Sequence, residues 1–184
     1  LFLPEYCGGL TSDGVRFCPP SACEDQHPVL EALRAFAARH RVWVNIGSIA
    51  IDGPEGKILN RGYMVTDTGD VSGHYDKIHL FDVDLTDSVS FRESETVAAG
   101  NRACVHETPY GAIGHAICYD LRFPVLFRDL ASAGAEILCC PAAFAELTGK
   151  AHWHVLNRAR AIENTRYMVS ACAVGPIPGG GQCY

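Results

Sequence analysis

The chain has 184 residues, a formal net charge of −6, 48% hydrophobic and 20% charged side chains. That length suits one domain with a real hydrophobic core, and the acidic balance without any basic run argues against nucleic acid or an anionic membrane surface as partner. No apolar stretch approaches the ~18 residues of a spanning helix, and no basic segment precedes the opening Leu1-Phe-Leu, so no membrane association is expected.

In chain order, Leu1 to Glu5 reads as the truncated remnant of a strand, too short to pair well. Pro28 fits the first turn of a helix running to about His40, with Val29, Leu33, Phe36 and Ala37 on one face. Arg41 to Ala50 is rich in β-formers, the Asp52-Gly-Pro-Glu-Gly56 turn returns the chain into a strand from Leu59 to Val65, and Asp67-Thr-Gly69 makes the next turn. A third strand carries Gly73-His-Tyr-Asp-Lys77, which places Lys77 at a strand end within a meander.

The apolar run Gly111-Ala-Ile-Gly-His-Ala-Ile-Cys118 then gives way at once to Tyr119-Asp-Leu-Arg-Phe-Pro124, which reads as strand, sharp turn and helix. Phe123, Leu126, Phe127, Leu130 and Ala131 form a helical face that ends near Gly134. Ala135 to Cys140 is the following strand, Thr148-Gly149 leads into a helix through Ile162, and Tyr167 to Val174 closes the series. Alternating strands and helices mark the fold class as α/β, with at least one sheet covered by helices.

Nine cysteines, an odd number with no CxxC pair, favour neither a disulfide framework nor a tetrahedral zinc site. Adjacent Cys139 and Cys140 on one strand face opposite ways. The composition reads as a reduced, cytoplasmic chain with one special thiol. That thiol is Cys118: at a strand–helix elbow it lies beside backbone N–H groups that stabilise a thiolate or a developing oxyanion. A lone cysteine ordinarily packs as a small hydrophobe; what sets this one apart is the set of polar residues at other strand edges, Glu5 in Leu3-Pro-Glu5, Lys77 in Tyr75-Asp-Lys77-Ile-His-Leu-Phe-Asp82, and Glu93 in Phe91-Arg-Glu93-Ser94.

The order Glu5, Lys77, Glu93, Cys118, together with Cys118-Tyr-Asp-Leu-Arg-Phe-Pro124, Pro141-Ala-Ala-Phe144, Thr148-Gly-Lys-Ala-His-Trp153 and Arg158-Ala-Arg-Ala-Ile-Glu-Asn164, resembles the nitrilase, or carbon–nitrogen hydrolase, superfamily. The later motifs are similar to its amidase branch, the omega-amidase and deaminated glutathione amidase group. The resemblance implies a four-layer αββα sandwich, here incomplete at both ends: a single carbon–nitrogen hydrolase domain over residues 1–184, read as an internal fragment.

It also implies roles. Glu5 is the general base and acid, Cys118 the nucleophile that forms a thioester, and Lys77 with the Tyr119 backbone N–H the oxyanion stabiliser, its cation lowering the pKa of the thiol. Glu93 orients the other polar groups, the alternative being an ion pair with a neighbour such as Arg92. Phe144, Thr148 and Trp153 are pocket candidates because they follow the strand bordering the thiol, although Phe and Trp are commonly core. Asp120 and Arg122 are expected to tie the elbow together, and His152 with His154, two apart on a helix, share no face for a metal.

By the same resemblance the substrate is a small-molecule amide of a short carboxylic acid, such as α-ketoglutaramate or deaminated glutathione, hydrolysed without metal or cofactor by a homodimer. N-carbamoyl amino acid or nitrile hydrolysis is the alternative within the superfamily, and a non-catalytic binding or assembly subunit the alternative outside it.

Overall fold

The computed structural model describes residues 1–13, 16–86 and 89–184. The first helix is α1 (Pro28–His40), preceded by a short strand β1 (Ser21–Ala22) and followed by β2 (Val44–Asp52), β3 (Ile58–Val65) and β4 (Val71–Asp76). Pro28 starts α1 where a missing N–H costs nothing, and Arg41 in the left-handed region, at φ 54°, ends it. The meander is as the sequence predicts: β2 pairs antiparallel with β3, and β3 with β4. β7 (Val97–Ala98) adds to β3, after a hairpin of β5 (Asp82–Thr86) and β6 (Val89–Arg92) for which the sequence carried no clear signal.

The opening segment departs from expectation, for it does pair. Asn45 donates its N–H to Leu1 O at 2.8 Å and accepts from Leu3 N–H at 3.0 Å, so Phe2 bridges Asn45 in parallel on the β2 edge that β1 also uses. Three residues are enough because the neighbouring strand supplies a ready ladder.

The second sheet runs β11 (Tyr167–Val169), β10 (Ile137–Cys139), β9 (Ile113–His115) and β8 (Cys104–His106), with β9, β10 and β11 parallel. Its connections are α2 (Pro124–Ser132), reached from Cys118 through a short 3₁₀ turn, and α3 (Glu146–Asn164). A final hairpin joins β12 (Gly175–Pro176) to β13 (Gln182–Cys183) through Gly179-Gly-Gly181.

Burial explains the layering. Leu30 and Ala37 of α1 pack on Val44, Ile46, Ile49, Tyr63 and Val65, while Leu126, Phe127 and Leu130 of α2 and Trp153 of α3 pack on Ala116, Ile117 and Leu138. Between the sheets Met64 meets Ile113 and Cys139. Each sheet thus has a helical face and a sheet face, which is the αββα sandwich. Cys139 lies in the inter-sheet layer and Cys140 in the helical one, opposite sides of one strand as its pleat requires. All nine cysteines are free.

The inter-sheet layer is polar as well as tight. The buried rings of His106 and His115 meet edge to face, with centroids 5.7 Å apart. A Cβ on Gly62 would approach the His115 ring to 2.5 Å, and one on Gly73 would approach His106 Nδ1 to 2.6 Å, so these two glycines let the sheets close.

Candidate active site

Four backbone features converge on one cleft. The first is the irregularity in the β2–β3 register between Ile46 and Ile49. There Gly47 lets the opening segment cross β2, since a Cβ on it would strike the Leu3 and Pro4 carbonyl oxygens. Ser48 then holds the chain, its Oγ accepting Tyr6 N–H at 3.0 Å and its carbonyl accepting Cys7 N–H at 3.0 Å. Tyr6 takes a left-handed conformation, at φ 50°, and Glu5 is turned inward, 2% exposed.

The second is the end of β4, from which Lys77 projects, also 2% exposed. The third is the short turn after β6 that carries Glu93. The fourth is the elbow: Cys118 sits at φ 48°, in the left-handed region that costs a non-glycine residue about 1–2 kcal/mol. Its N–H is held by Pro141 O at 2.8 Å, and Asp120, fully buried, clamps the turn by accepting Ile117 N–H at 2.8 Å, Tyr75 O–H at 2.7 Å and His79 N–H at 3.0 Å.

The Lys77 ammonium lies 3.1 Å from Glu5 Oε1 and 2.9 Å from both oxygens of Glu93. Asn60 Nδ2 donates to Glu5 Oε1 at 2.8 Å and Ala143 N–H to Glu5 Oε2 at 2.8 Å, while Phe81 N–H donates to Glu93 Oε2 at 2.6 Å. Glu93 is therefore a partner of Lys77, and Arg92 turns away to Asp84 at 2.6 Å.

Burial opposes the charged form of Lys77, but Glu5 and then Glu93 outweigh it and hold its pKa well above the ordinary lysine value. Two carboxylates against one ammonium leave the cluster with a net negative charge. Burial and then Glu5 accordingly push the Cys118 thiol well above its ordinary range, and Lys77 opposes them without prevailing. Lys77 does lower the thiol's pKa, as the resemblance implies, but burial and then Glu5 outweigh it, because a thiolate would add a further buried anion. Cys118 is thereby held in its thiol form.

Around this centre lies a cavity of about 130 Å³, a volume for a small molecule. Phe144 and Thr148, two of the pocket candidates, line it, and so does Tyr119. Trp153 does not line it: it is buried against Phe144, with ring centroids 5.0 Å apart, and belongs to the core. Thr148 sits in the first turn of α3, which begins two residues earlier than predicted.

Asp120 ties the elbow as expected, but Arg122 does not join it. Arg122 faces the cleft between Tyr119 and Phe144, with its guanidinium carbon 5.7 and 5.4 Å from their ring centroids, and pairs with no carboxylate among the described residues. Sequence reasoning also missed Tyr6 and Arg16, which line the cavity, and the groups that hold the two carboxylates, Asn60 and the N–H groups of Phe81 and Ala143. The two backbone groups had no side-chain signal, and Asn60 lay within an ordinary strand pattern.

The carbon–nitrogen hydrolase family model matches residues 1–184. The chain belongs to the carbon–nitrogen hydrolase family. Among curated members of that family, it is 43% identical over 157 residues to a deaminated glutathione amidase of Yersinia enterocolitica, covering 82% of this chain and 55% of that protein. Among solved structures, the Caenorhabditis elegans NitFhit protein is 36% identical with a TM-score of 0.80, over 85% of this chain and 39% of that one. Nit3 of Saccharomyces cerevisiae, a nitrilase-superfamily member, is 28% identical with a TM-score of 0.82, over 100% and 65% respectively. The chain spans about half the length of the curated relatives it matches. Among the described residues no helix is long and apolar enough to cross a membrane.

Proposed function

We propose that the chain carries the catalytic centre of a cysteine amidase that cleaves the amide of a small carboxylic acid through a thioester. The observation that carries this is the convergence of Glu5, Lys77, Glu93 and Cys118 from four separate elements in one buried cleft. Such a convergence of titratable groups is the usual mark of a reaction centre.

As sulfur attacks the amide carbon, the Cys118 proton passes to Glu5, the S–C bond forms and the carbonyl π pair moves onto oxygen. Proton transfer to a placed base of this kind contributes ~10²–10⁴-fold. At rest the three N–H donors of Lys77 meet one oxygen of Glu5 and both oxygens of Glu93, so one of the two Glu93 bonds gives way as a donor turns to the oxyanion. The Tyr119 N–H, in the first turn after the elbow, is the second donor. Glu5 then returns its proton to the departing nitrogen as the C–N bond breaks, and takes another from the water that hydrolyses the thioester. Glu93 keeps Lys77 charged and aimed.

The substrate reading is a short acid with a terminal or γ-linked amide, such as α-ketoglutaramate or deaminated glutathione. Arg122 supports it by offering a carboxylate at the aromatic wall a guanidinium that meets the His152 ring but no carboxylate among the described residues, and the deaminated glutathione amidase of Yersinia enterocolitica points the same way. Free thiols throughout fit a cytoplasmic setting. The exposed Leu147, Val155 and Ile162 along α3 fit a homodimer contact.

The test is release of ammonia or amine by the full-length protein from α-keto acid amides and deaminated glutathione, with Cys118→Ala alongside. Release by wild type alone, with an acyl adduct on Cys118 by mass spectrometry, is the expected result. Equal turnover by both proteins overturns the reading, and carbon dioxide from carbamoyl substrates or turnover of nitriles would move it elsewhere in the family.

A further inference from the structure

We infer that Asn60 is a positioning residue that decides which oxygen of Glu5 takes the thiol proton, an inference that rests on the reaction proposed above. Asn60 is fully buried in the middle of β3. It holds two members of the centre at once: its side-chain Nδ2 donates to Glu5 Oε1 at 2.8 Å, and its backbone carbonyl accepts Lys77 N–H at 3.0 Å.

The orientation of its amide follows from charge. Turned over, it would present Oδ1 to a carboxylate oxygen, acceptor against acceptor, so the donor end must face Glu5. Among the described residues Oδ1 meets no hydrogen-bond partner. A buried acceptor left unpaired costs about 1–3 kcal/mol, and the fold tolerates that cost to keep Nδ2 on Glu5.

Counting lone pairs gives the consequence. A carboxylate oxygen has two acceptor positions. On Glu5 Oε1 both are taken, by Asn60 and by Lys77 at 3.1 Å. On Oε2 one is taken, by Ala143 N–H at 2.8 Å, and one is left. The base is therefore Oε2, and Asn60 makes it so by closing Oε1. Without Asn60 the carboxylate rotates between Lys77 and the thiol, and the proton acceptor is correctly placed only part of the time. Ala143 immediately precedes Phe144 of the cleft wall, so the same oxygen is fixed by the segment that contacts substrate.

The experiment measures Asn60→Ala and Asn60→Asp in the full-length protein. The aspartate has the shape of asparagine but turns an acceptor toward Glu5. Three readouts are taken: thermal melting, alkylation of Cys118 by iodoacetamide followed by peptide mass spectrometry, and kcat and KM on whichever amide the wild type turns over. The expected result is that both the Cys118 alkylation rate and kcat fall by about ten- to a hundredfold with KM within about twofold, and that Asn60→Asp is the slower variant.

A variant that melts cooperatively yet reacts at the wild-type rate overturns the inference, and so does a rise in KM with kcat unchanged. If Asn60→Ala does not fold, the isosteric aspartate decides alone. Should no amide be turned over while alkylation still falls in the variants, the amidase reading fails and the positioning of Glu5 by Asn60 stands.

Discussion

Replacing Glu93 by glutamine tests the electrostatic account of the centre. The side chain keeps its shape, but it now has one acceptor oxygen and one NH₂ group where two oxygens made three contacts, 2.9 and 2.9 Å to the Lys77 ammonium and 2.6 Å to Phe81 N–H. If the oxygen takes the place of Oε2, the NH₂ group points at the ammonium; if it takes the place of Oε1, the NH₂ group points at the Phe81 N–H. Either arrangement sets donor against donor.

Removing one partner of a buried pair costs about 3–5 kcal/mol. Glu5 remains 3.1 Å from Lys77 and glutamine still accepts one bond, so the lower figure of about 2–3 kcal/mol applies. On a chain of this size each kcal/mol moves Tm by about 2–4 °C, so calorimetry should show Tm lower by about 4–12 °C. Lys77, left with one carboxylate, is drawn toward Glu5 and away from the oxyanion position, and kcat falls by about 10²–10³-fold. A Glu93→Gln protein with wild-type Tm and kcat within about twofold of wild type would refute the claim that Glu93 holds Lys77.

Gly47→Ala places a methyl group against the Leu3 and Pro4 carbonyls; it should cost about 1–3 kcal/mol in urea unfolding and lower kcat further than that loss of folded protein accounts for, because Glu5 hangs from the displaced segment. Acid should also destabilise the fold. Burial, then the neighbouring His74, lowers the His106 pKa to about 4, and burial, then His106, lowers that of His115 to about 3. Both rings are neutral in the fold, so their contribution is complete above the unfolded value of about 6.5. It is lost as pH falls from there toward about 4 and then about 3. The slope is about 1.4 kcal/mol per pH unit for each ring, and His106→Gln should flatten it by one ring's share in denaturant titrations between pH 6 and 4.

Local signals carried much of the molecule. The helix from Pro28 to His40, the meander through Lys77 and the strand–elbow–helix at Cys118 were legible because each is specified by residues adjacent in the chain: a proline, a turn dipeptide, a change of apolar period. The β5–β6 hairpin and the pairing of Leu1 to Leu3 were not, because their strands are short and their partners are supplied elsewhere. Glu5, Lys77, Glu93 and Cys118 were named from their order and motifs, and Tyr119, Phe144 and Thr148 from their places beside the thiol.

What the sequence by itself determined is which chemical groups are present and which short elements carry them. Only the tertiary structure decided their charge states and contacts. Electrostatics at the centre depends on distances of about 3 Å between residues tens of positions apart. Lys77 lowers the thiol's pKa as expected, but burial and then Glu5, brought beside the thiol only by the fold, raise it further. The grip of Asn60 on Glu5 and the turn of Arg122 into the cleft arise the same way, from strands and helices meeting side by side, where no pattern along the chain records which atoms will touch.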